Sequence, residues 1–167
     1  MDVNMNVIYK AMGPHGTNCY IISDAEHSII IDPGINSTQW VIENAKNPVA
    51  ILNTHGHFDH IWSNQELKEH FQIPLYVPKD DVFMLDSEQF GMQVPPSIPD
   101  IIVENGESFE LAGFNFKFHH FPGHTPGTSM IEFDDCCFSG DFIFHGSVGR
   151  TDFPFSNPND MKKSIQN

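Results

Sequence analysis

An α/β fold of two packed sheets with helices on the outside is what this 167-residue sequence predicts. Three observations carry that reading. Strand-like stretches come first, helix and strand patterns then alternate, and strand-like stretches return at the end. The short apolar run Val49–Leu52 stands between two helical patterns, which marks a buried parallel strand. Hydrophobic residues make up 40% of the chain and fifteen are Phe, so one domain over residues 1–167 can bury a real core.

The elements follow in order. Asn6–Met12, Asn18–Ser23 and Ser28–Ile31 read as strands, separated by Gly13-Pro14-His15-Gly16 and Asp24-Ala25-Glu26. Asp32-Pro33-Gly34 stops the third. Ser37 or Thr38 caps a helix to about Lys46, with Trp40, Val41 and Ala45 on one face. Val49–Asn53 is the parallel strand. Ile61–Phe71 reads as a helix with Ile61, Leu67 and Phe71 inward, Pro74–Val77 as a strand and Lys79–Ser87 as a short helix. Gly91–Asp100 holds three prolines and reads as an ordered loop. Ile101–Val103, Ser108–Leu111 and Phe114–His120 are strands, and alternating Phe114, Phe116 and Phe118 mark a core face. Ser129–Phe133 and Cys136–Ser139 form a hairpin. Pro158 and Asn159 open a helix to Asn167.

The net charge of −14 excludes a phosphate-binding stripe, so nucleic acid is not an expected partner. Arg150 is the sole arginine. No apolar stretch approaches the ~20 residues of a membrane span, and the N-terminus lacks the pattern of a secretory leader. Cys19, Cys136 and Cys137 read as reduced thiols acting as small hydrophobes, which fits a cytoplasmic protein.

Chemistry concentrates in Thr54-His55-Gly56-His57-Phe58-Asp59-His60, directly after the apolar strand. Imidazole nitrogen and carboxylate oxygen suit zinc, iron and manganese. In an extended segment His55 and His57 point to one side and can share an ion. Asp59 continues that alternation, and a turn before the Ile61 helix lets Asp59 and His60 face a second position. Pro122-Gly123-His124-Thr125-Pro126-Gly127 projects one imidazole from a rigid turn, and Ser139-Gly140-Asp141 places a carboxylate after a strand.

These segments together resemble the metallo-β-lactamase superfamily of hydrolases. Within it they resemble the glyoxalase II branch, the hydroxyacylglutathione hydrolases, in the short bacterial form. The resemblance runs from Gly16-Thr17-Asn18-Cys19-Tyr20 through Ile31-Asp32-Pro33-Gly34, the two histidine segments and Ser139–Asp141 to Gly149-Arg150-Thr151-Asp152-Phe153-Pro154. It implies an αββα sandwich of two mixed sheets with outer helices. It implies metal one on His55, His57 and His124, and metal two on Asp59 and His60, with Asp141 bridging. Zinc is the expected metal, with iron or manganese as alternatives. Asp32 is expected to support a ligand rather than bind. The family places a further metal histidine after its last helix. The chain is therefore expected to be C-terminally incomplete, lacking a last strand and helix unit, with the second ion held more weakly.

The implied reaction is hydrolysis of a small-molecule thioester such as S-lactoylglutathione by a metal-bridging hydroxide that Asp59 orients, in a monomer or small homo-oligomer. Arg150 matches a basic substrate-contacting position of the branch; its alternative is an ion pair with Asp152. Two other readings compete. One is a persulfide dioxygenase with a single iron on His55, His124 and Asp141; the other is an inactive fragment or paralogue. His119, His120, His15, His27 and His70 read as structural or surface residues. His145 and Phe144 read as pocket lining or core.

Overall fold

The computed structural model describes residues 4–167. In chain order the elements are β1 (Asn6–Met12), β2 (Thr17–Ser23), β3 (Ser28–Ile31), α1 (Thr38–Asn44), β4 (Pro48–Leu52), α2 (Phe58–Ile61), α3 (Asn64–Phe71) and β5 (Leu75–Pro78). A 3₁₀ helix (Lys79–Asp86) follows, then β6 (Glu88–Gln89), β7 (Met92–Gln93), β8 (Ile101–Val103), β9 (Ser108–Leu111), β10 (Phe114–His120) and β11 (Ser129–Phe133). The last are β12 (Cys137–Phe138), β13 (Ile143–Phe144), β14 (Ser147–Val148) and α4 (Pro158–Gln166). The chain divides into two compact units. The first holds Met1–Asn53, His57–Tyr76 and Phe83–Ile101; the second holds Thr54–Gly56, Val77–Val82 and Ile102–Asn167.

In the first unit the strands lie in the order β1-β2-β3-β4-β5. β1, β2 and β3 form an antiparallel meander, while β3, β4 and β5 run parallel. The apolar run is thus a central strand, and Ala50, Ile51 and Leu52 are fully buried beside Ile29, Ile30 and Ile31. Edge strand β1 leaves Val7 and Tyr9 exposed.

Two helices differ from expectation. α1 ends at Asn44 and buries Val41 alone, leaving Trp40 and Ala45 half-buried. The expected helix Ile61–Phe71 is two helices, α2 starting earlier at Phe58 and α3 at Asn64. The break has a local cause: Ser63 donates from its backbone N–H to Pro33 O and from Oγ to Gly34 O. Its donors go to the loop after β3 instead of continuing the ladder. The ordered loop expected over Gly91–Asp100 contains β7, which pairs with β6 just before it in a tight hairpin turning at Phe90 (φ 51°) and Gly91 (φ 77°). Two successive positive φ values are those of a type I′ turn.

In the second unit the sheet order is β12-β11-β10-β9, antiparallel throughout. The resemblance implied a mixed sheet here; short hairpin connections give an antiparallel one. Phe114, Phe116 and Phe118 are buried as expected and pack with Phe109 and Phe133, and Phe133 packs in turn on Phe138. The hairpin β13–β14, two residues per strand, was too short to show as a pattern. α4 is capped by Asn157, whose side chain accepts from Asn159 N and Asp160 N, and Pro158 opens it.

All three cysteines are free thiols. Cys19 is buried as a small hydrophobe would be, but Cys136 is half-buried and Cys137 exposed, which corrects that reading for the pair. Among the described residues no helix is long and apolar enough to cross a membrane.

Candidate metal centre

The histidine segment begins where β4 stops being a strand. Asn53 N donates to Tyr76 O, and the buried Asn53 and Asn64 side chains exchange amide hydrogen bonds at 2.7 and 3.1 Å. His57 is extended (ψ 144°) and precedes the first turn of α2. Asp59 therefore lies inside that helical turn and does not continue the alternation of His55 and His57, a correction to the extended reading. Helical geometry nonetheless brings Asp59 to its neighbour, with Asp59 Oδ2 3.6 Å from His60 Nε2. Thr17 Oγ1 donates to the same carboxylate oxygen at 2.6 Å. A Cβ on Gly34 would collide with Asp59 O, so only glycine lets α2 approach there.

His124 is carried by the loop before β11. Gly123 (φ 147°) lies against α4, where a Cβ would come within 2.6 Å of Met161 Cα. Ser156 Oγ donates to His124 O at 2.6 Å. Asp141 follows Gly140, which sits in the left-handed region (φ 54°) tight against Thr54 Oγ1. Asp141 Oδ2 ends 3.2 Å from His124 Nε2 and 3.6 Å from His55 Nε2. The His55 and His124 rings meet edge to face, with centroids 5.0 Å apart. Within the second unit, His55, His124 and Asp141 thus bring two imidazoles and one carboxylate together. Within the first unit, His60 lies between two carboxylates, Asp32 on its Nδ1 side and Asp59 on its Nε2 side.

The tautomers follow from the partners. His124 Nδ1 is 2.7 Å from Arg150 O, and a carbonyl only accepts, so Nδ1 carries the proton. His60 Nδ1 is 2.9 Å from Asp32 Oδ2, again a donor position. His55 Nδ1 meets Thr54 Oγ1 at 3.0 Å. With Nδ1 donating, His60 and His124 turn Nε2 to a carboxylate oxygen, Asp59 and Asp141 respectively; the Thr54 hydroxyl can donate or accept, and His55 Nε2 also faces Asp141. A carboxylate oxygen 3.2–3.6 Å from each Nε2 is an arrangement that a ring proton or a divalent cation between the two atoms satisfies. The donor set of imidazole and carboxylate, oriented from behind by carbonyl and carboxylate, fits a divalent metal. Asp32 lies behind His60, 2.9 Å from its Nδ1.

The guanidinium of Arg150 forks onto Asp152 at 2.7 and 2.9 Å and lies 4.4 Å over the Phe153 ring. Hydrogen bonding to Asp152 raises the Arg150 pKa and lowers that of Asp152. The ion-pair alternative is therefore present; the structural contribution of Arg150 to the centre is its backbone carbonyl. His15 and His70 are exposed, His27, His119 and His120 half-buried. Phe144 and His145 are exposed on the β13–β14 hairpin, so core packing does not account for Phe144.

Sequence reasoning missed Asp81, Thr17, Thr54 and Gln89. Asp81 accepts from Gly56 N, Thr125 Oγ1 and Gly127 N. Gln89 Oε1 accepts from Phe58 N at 2.9 Å. Thr54 stands beside His55 but as a hydroxyl carries no metal signal; the other three are polar residues far in sequence from the loops they support, and nothing local marks them.

The sequence model of the Metallo-beta-lactamase superfamily matches residues 12–167. A Haemophilus influenzae protein named hydroxyacylglutathione hydrolase GloC is 37% identical over 176 residues, covering 97% of this chain and 83% of its own length. The crystal structure of BLEG-1 B3 metallo-beta-lactamase matches with a TM-score of 0.89 at 30% identity, covering 97% of this chain and 84% of that one. TTHA1623 in a di-iron-bound form matches at 0.81 and 31%, covering 95% of this chain and 84% of that one.

Proposed function

This chain belongs to the metallo-β-lactamase superfamily and has its fold, and from that premise we propose that it hydrolyses thioesters of small acids, S-lactoylglutathione among them. The superfamily binds divalent metals, and the di-iron form of TTHA1623 leaves zinc, iron and manganese open. In this reading His55, His57 and His124 would hold one ion, Asp59 and His60 a second, and Asp141 would serve both. The observation that carries it is the aim of three imidazole nitrogens at carboxylate oxygens 3.2–3.6 Å away. A divalent ion bound there supplies Lewis acidity and lowers the pKa of coordinated water to about 7.

The chain's own residues do the rest. Thr17 fixes the Asp59 carboxylate, which orients the attacking water and takes its proton. The water oxygen adds to the acyl carbon and the C–S bond breaks. The proton held by Asp59 passes to the departing sulfur, so the products are a carboxylic acid and a thiol. A thiolate leaves readily, so no strong general acid is required. Phe58 lies 5.3 Å from His15 and 5.7 Å from Phe90, and Phe90 lies 6.2 Å from His57, which gives an acyl chain an aromatic wall. The glutathione carrier rests on the Haemophilus relative's name. Arg150 is the residue proposed to meet a carboxylate of that carrier, exchanging Asp152 for it.

A second reading has one observation behind it. His55, His124 and Asp141 by themselves form a set of two imidazoles and one carboxylate, the arrangement that suits a single non-haem iron. Elemental analysis of freshly purified protein beside a thioester panel separates the two. The proposal expects two ions per chain and thioester cleavage. A single iron with oxygen uptake on a persulfide would replace it with the dioxygenase, and metal-loaded protein inert on every thioester would overturn it.

A further inference from the structure

Asp81 is fully buried on the 3₁₀ helix, and its three hydrogen bonds all go to the two segments that carry the centre's imidazoles. Its Oδ2 accepts from Gly56 N at 2.8 Å and from Thr125 Oγ1 at 2.6 Å; its Oδ1 accepts from Gly127 N at 2.6 Å. Gly56 lies between His55 and His57, and Thr125 follows His124. One carboxylate therefore ties together the backbones next to three histidines. The fit is close: a Cβ on Gly127 would come within 2.7 Å of Asp81 Cγ. Thr125 is itself fixed, since its N–H donates to Thr128 Oγ1 at 2.9 Å and the two hydroxyls are 2.7 Å apart.

A carboxylate buried among neutral donors is an unfavourable feature for stability alone. Burial pushes the Asp81 carboxyl above its ordinary value while its three hydrogen bonds pull it back, and Asp80 beside it adds repulsion. An apolar side chain would fill the space without that burden, but it would leave the Gly56 and Gly127 N–H groups unsatisfied and the two loops untied.

We propose that Asp81 is a positioning residue for the metal centre, setting the spacing of the Thr54–His57 and Pro122–Gly127 loops and thereby the affinity for the ion that His55, His57 and His124 hold. It rests only on the metal-binding part of the function proposed above and is independent of the substrate.

Asp81→Asn is the test, read by chelator competition with Zn²⁺ and by the visible absorption of the Co²⁺ form, both without substrate. The amide turns one acceptor oxygen into a donor that faces an existing N–H or O–H. The expected result is a loss of about 10–100-fold in metal affinity, the range for partners behind metal ligands, and a shifted Co²⁺ band. Asp80→Asn, on the same helix with its carboxylate near His120, is expected to change neither. Thr125→Val removes one of the three donors and should give the same shift at smaller size, which covers the case of an Asp81 variant that does not fold. Unchanged affinity and an unchanged Co²⁺ band in folded Asp81→Asn overturn the proposal, even if its urea midpoint falls. Failure of every thioester to react would leave this result standing.

Discussion

His60 and His124 present the same lone pair by different means. In the first unit, His60 Nδ1 donates to the buried carboxylate of Asp32 at 2.9 Å. In the second, His124 Nδ1 donates to the main-chain carbonyl of Arg150 at 2.7 Å. Each Nε2 then faces a carboxylate, Asp59 at 3.6 Å for His60 and Asp141 at 3.2 Å for His124. A carboxylate behind an imidazole brings a full charge and raises ligand basicity; a carbonyl brings a dipole fixed by the path of the backbone. One arrangement can be tuned through a side chain. The other can be broken only by moving the chain.

That difference orders the expected effects. The largest belongs to Gly149→Ala. A Cβ at that position collides with Asp141 O and comes within 3.2 Å of His124 Cγ, so the segment carrying the Arg150 carbonyl must shift. The expected cost is about 3 kcal/mol or more, the upper range for overpacking, together with loss of metal binding at His124. Urea unfolding and chelator competition read both. A stable variant with normal affinity would mean the carbonyl does not set the His124 tautomer.

Next comes Asp32→Asn. Asp32 sits at φ 53°, which Asn tolerates better than most residues. The substitution therefore removes the charge with little backbone strain, and Asn Oδ1 can still accept from His60 Nδ1. Affinity at the His60 position should fall about tenfold, the lower end for such partners, while Asp32→Ala loses more. Equal losses in the two would mean that charge contributes nothing beyond the acceptor.

Arg150→Ala sharpens the contrast from the other side. The carbonyl stays, so metal affinity should not change. KM for a glutathione thioester should rise more than kcat falls, and only severalfold, since the guanidinium is exposed and already paired with Asp152. An unchanged KM would remove Arg150 from substrate binding.

The same contrast explains what could be read in the sequence. His55, His57, Asp59 and His60 are close together after an apolar run, and Asp32 ends a strand, so their chemistry is visible as residue types. β3, β4 and β10 were equally plain, because burial on two faces or on one writes itself as a continuous or alternating apolar pattern. The carbonyl of Arg150 is invisible, since every residue has one. Asp81 was hidden for a related reason: its partners, Gly56 and Gly127, are 25 and 46 residues away. The break between α2 and α3 depends on where Ser63 finds acceptors, Pro33 and Gly34, which no helical periodicity reports.

The smallest effect at neutral pH concerns Cys19, which senses the Asp32 side of the comparison. Its thiol, buried in β2, is pushed up to about 12 by burial, opposed by a hydrogen bond with Ser37 and aided by the charge of Asp32. In the unfolded chain a thiol ionises near 8.5. Between that value and about 12 the unfolded state has lost the proton and the folded state still holds it. The unfolded state then binds fewer protons, so stability falls as pH rises, by up to about 1.4 kcal/mol per pH unit, and below pH 8 the group contributes nothing. Cys19→Ala should flatten this alkaline limb in urea midpoints taken from pH 7 to 10.5. Asp32→Asn should lower the pH at which the limb ends, because the neighbouring charge no longer opposes the thiolate. Arg150→Ala should leave the limb as it is. If Cys19→Ala keeps the wild-type slope, the alkaline loss belongs to other groups and the thiol is not buried as described.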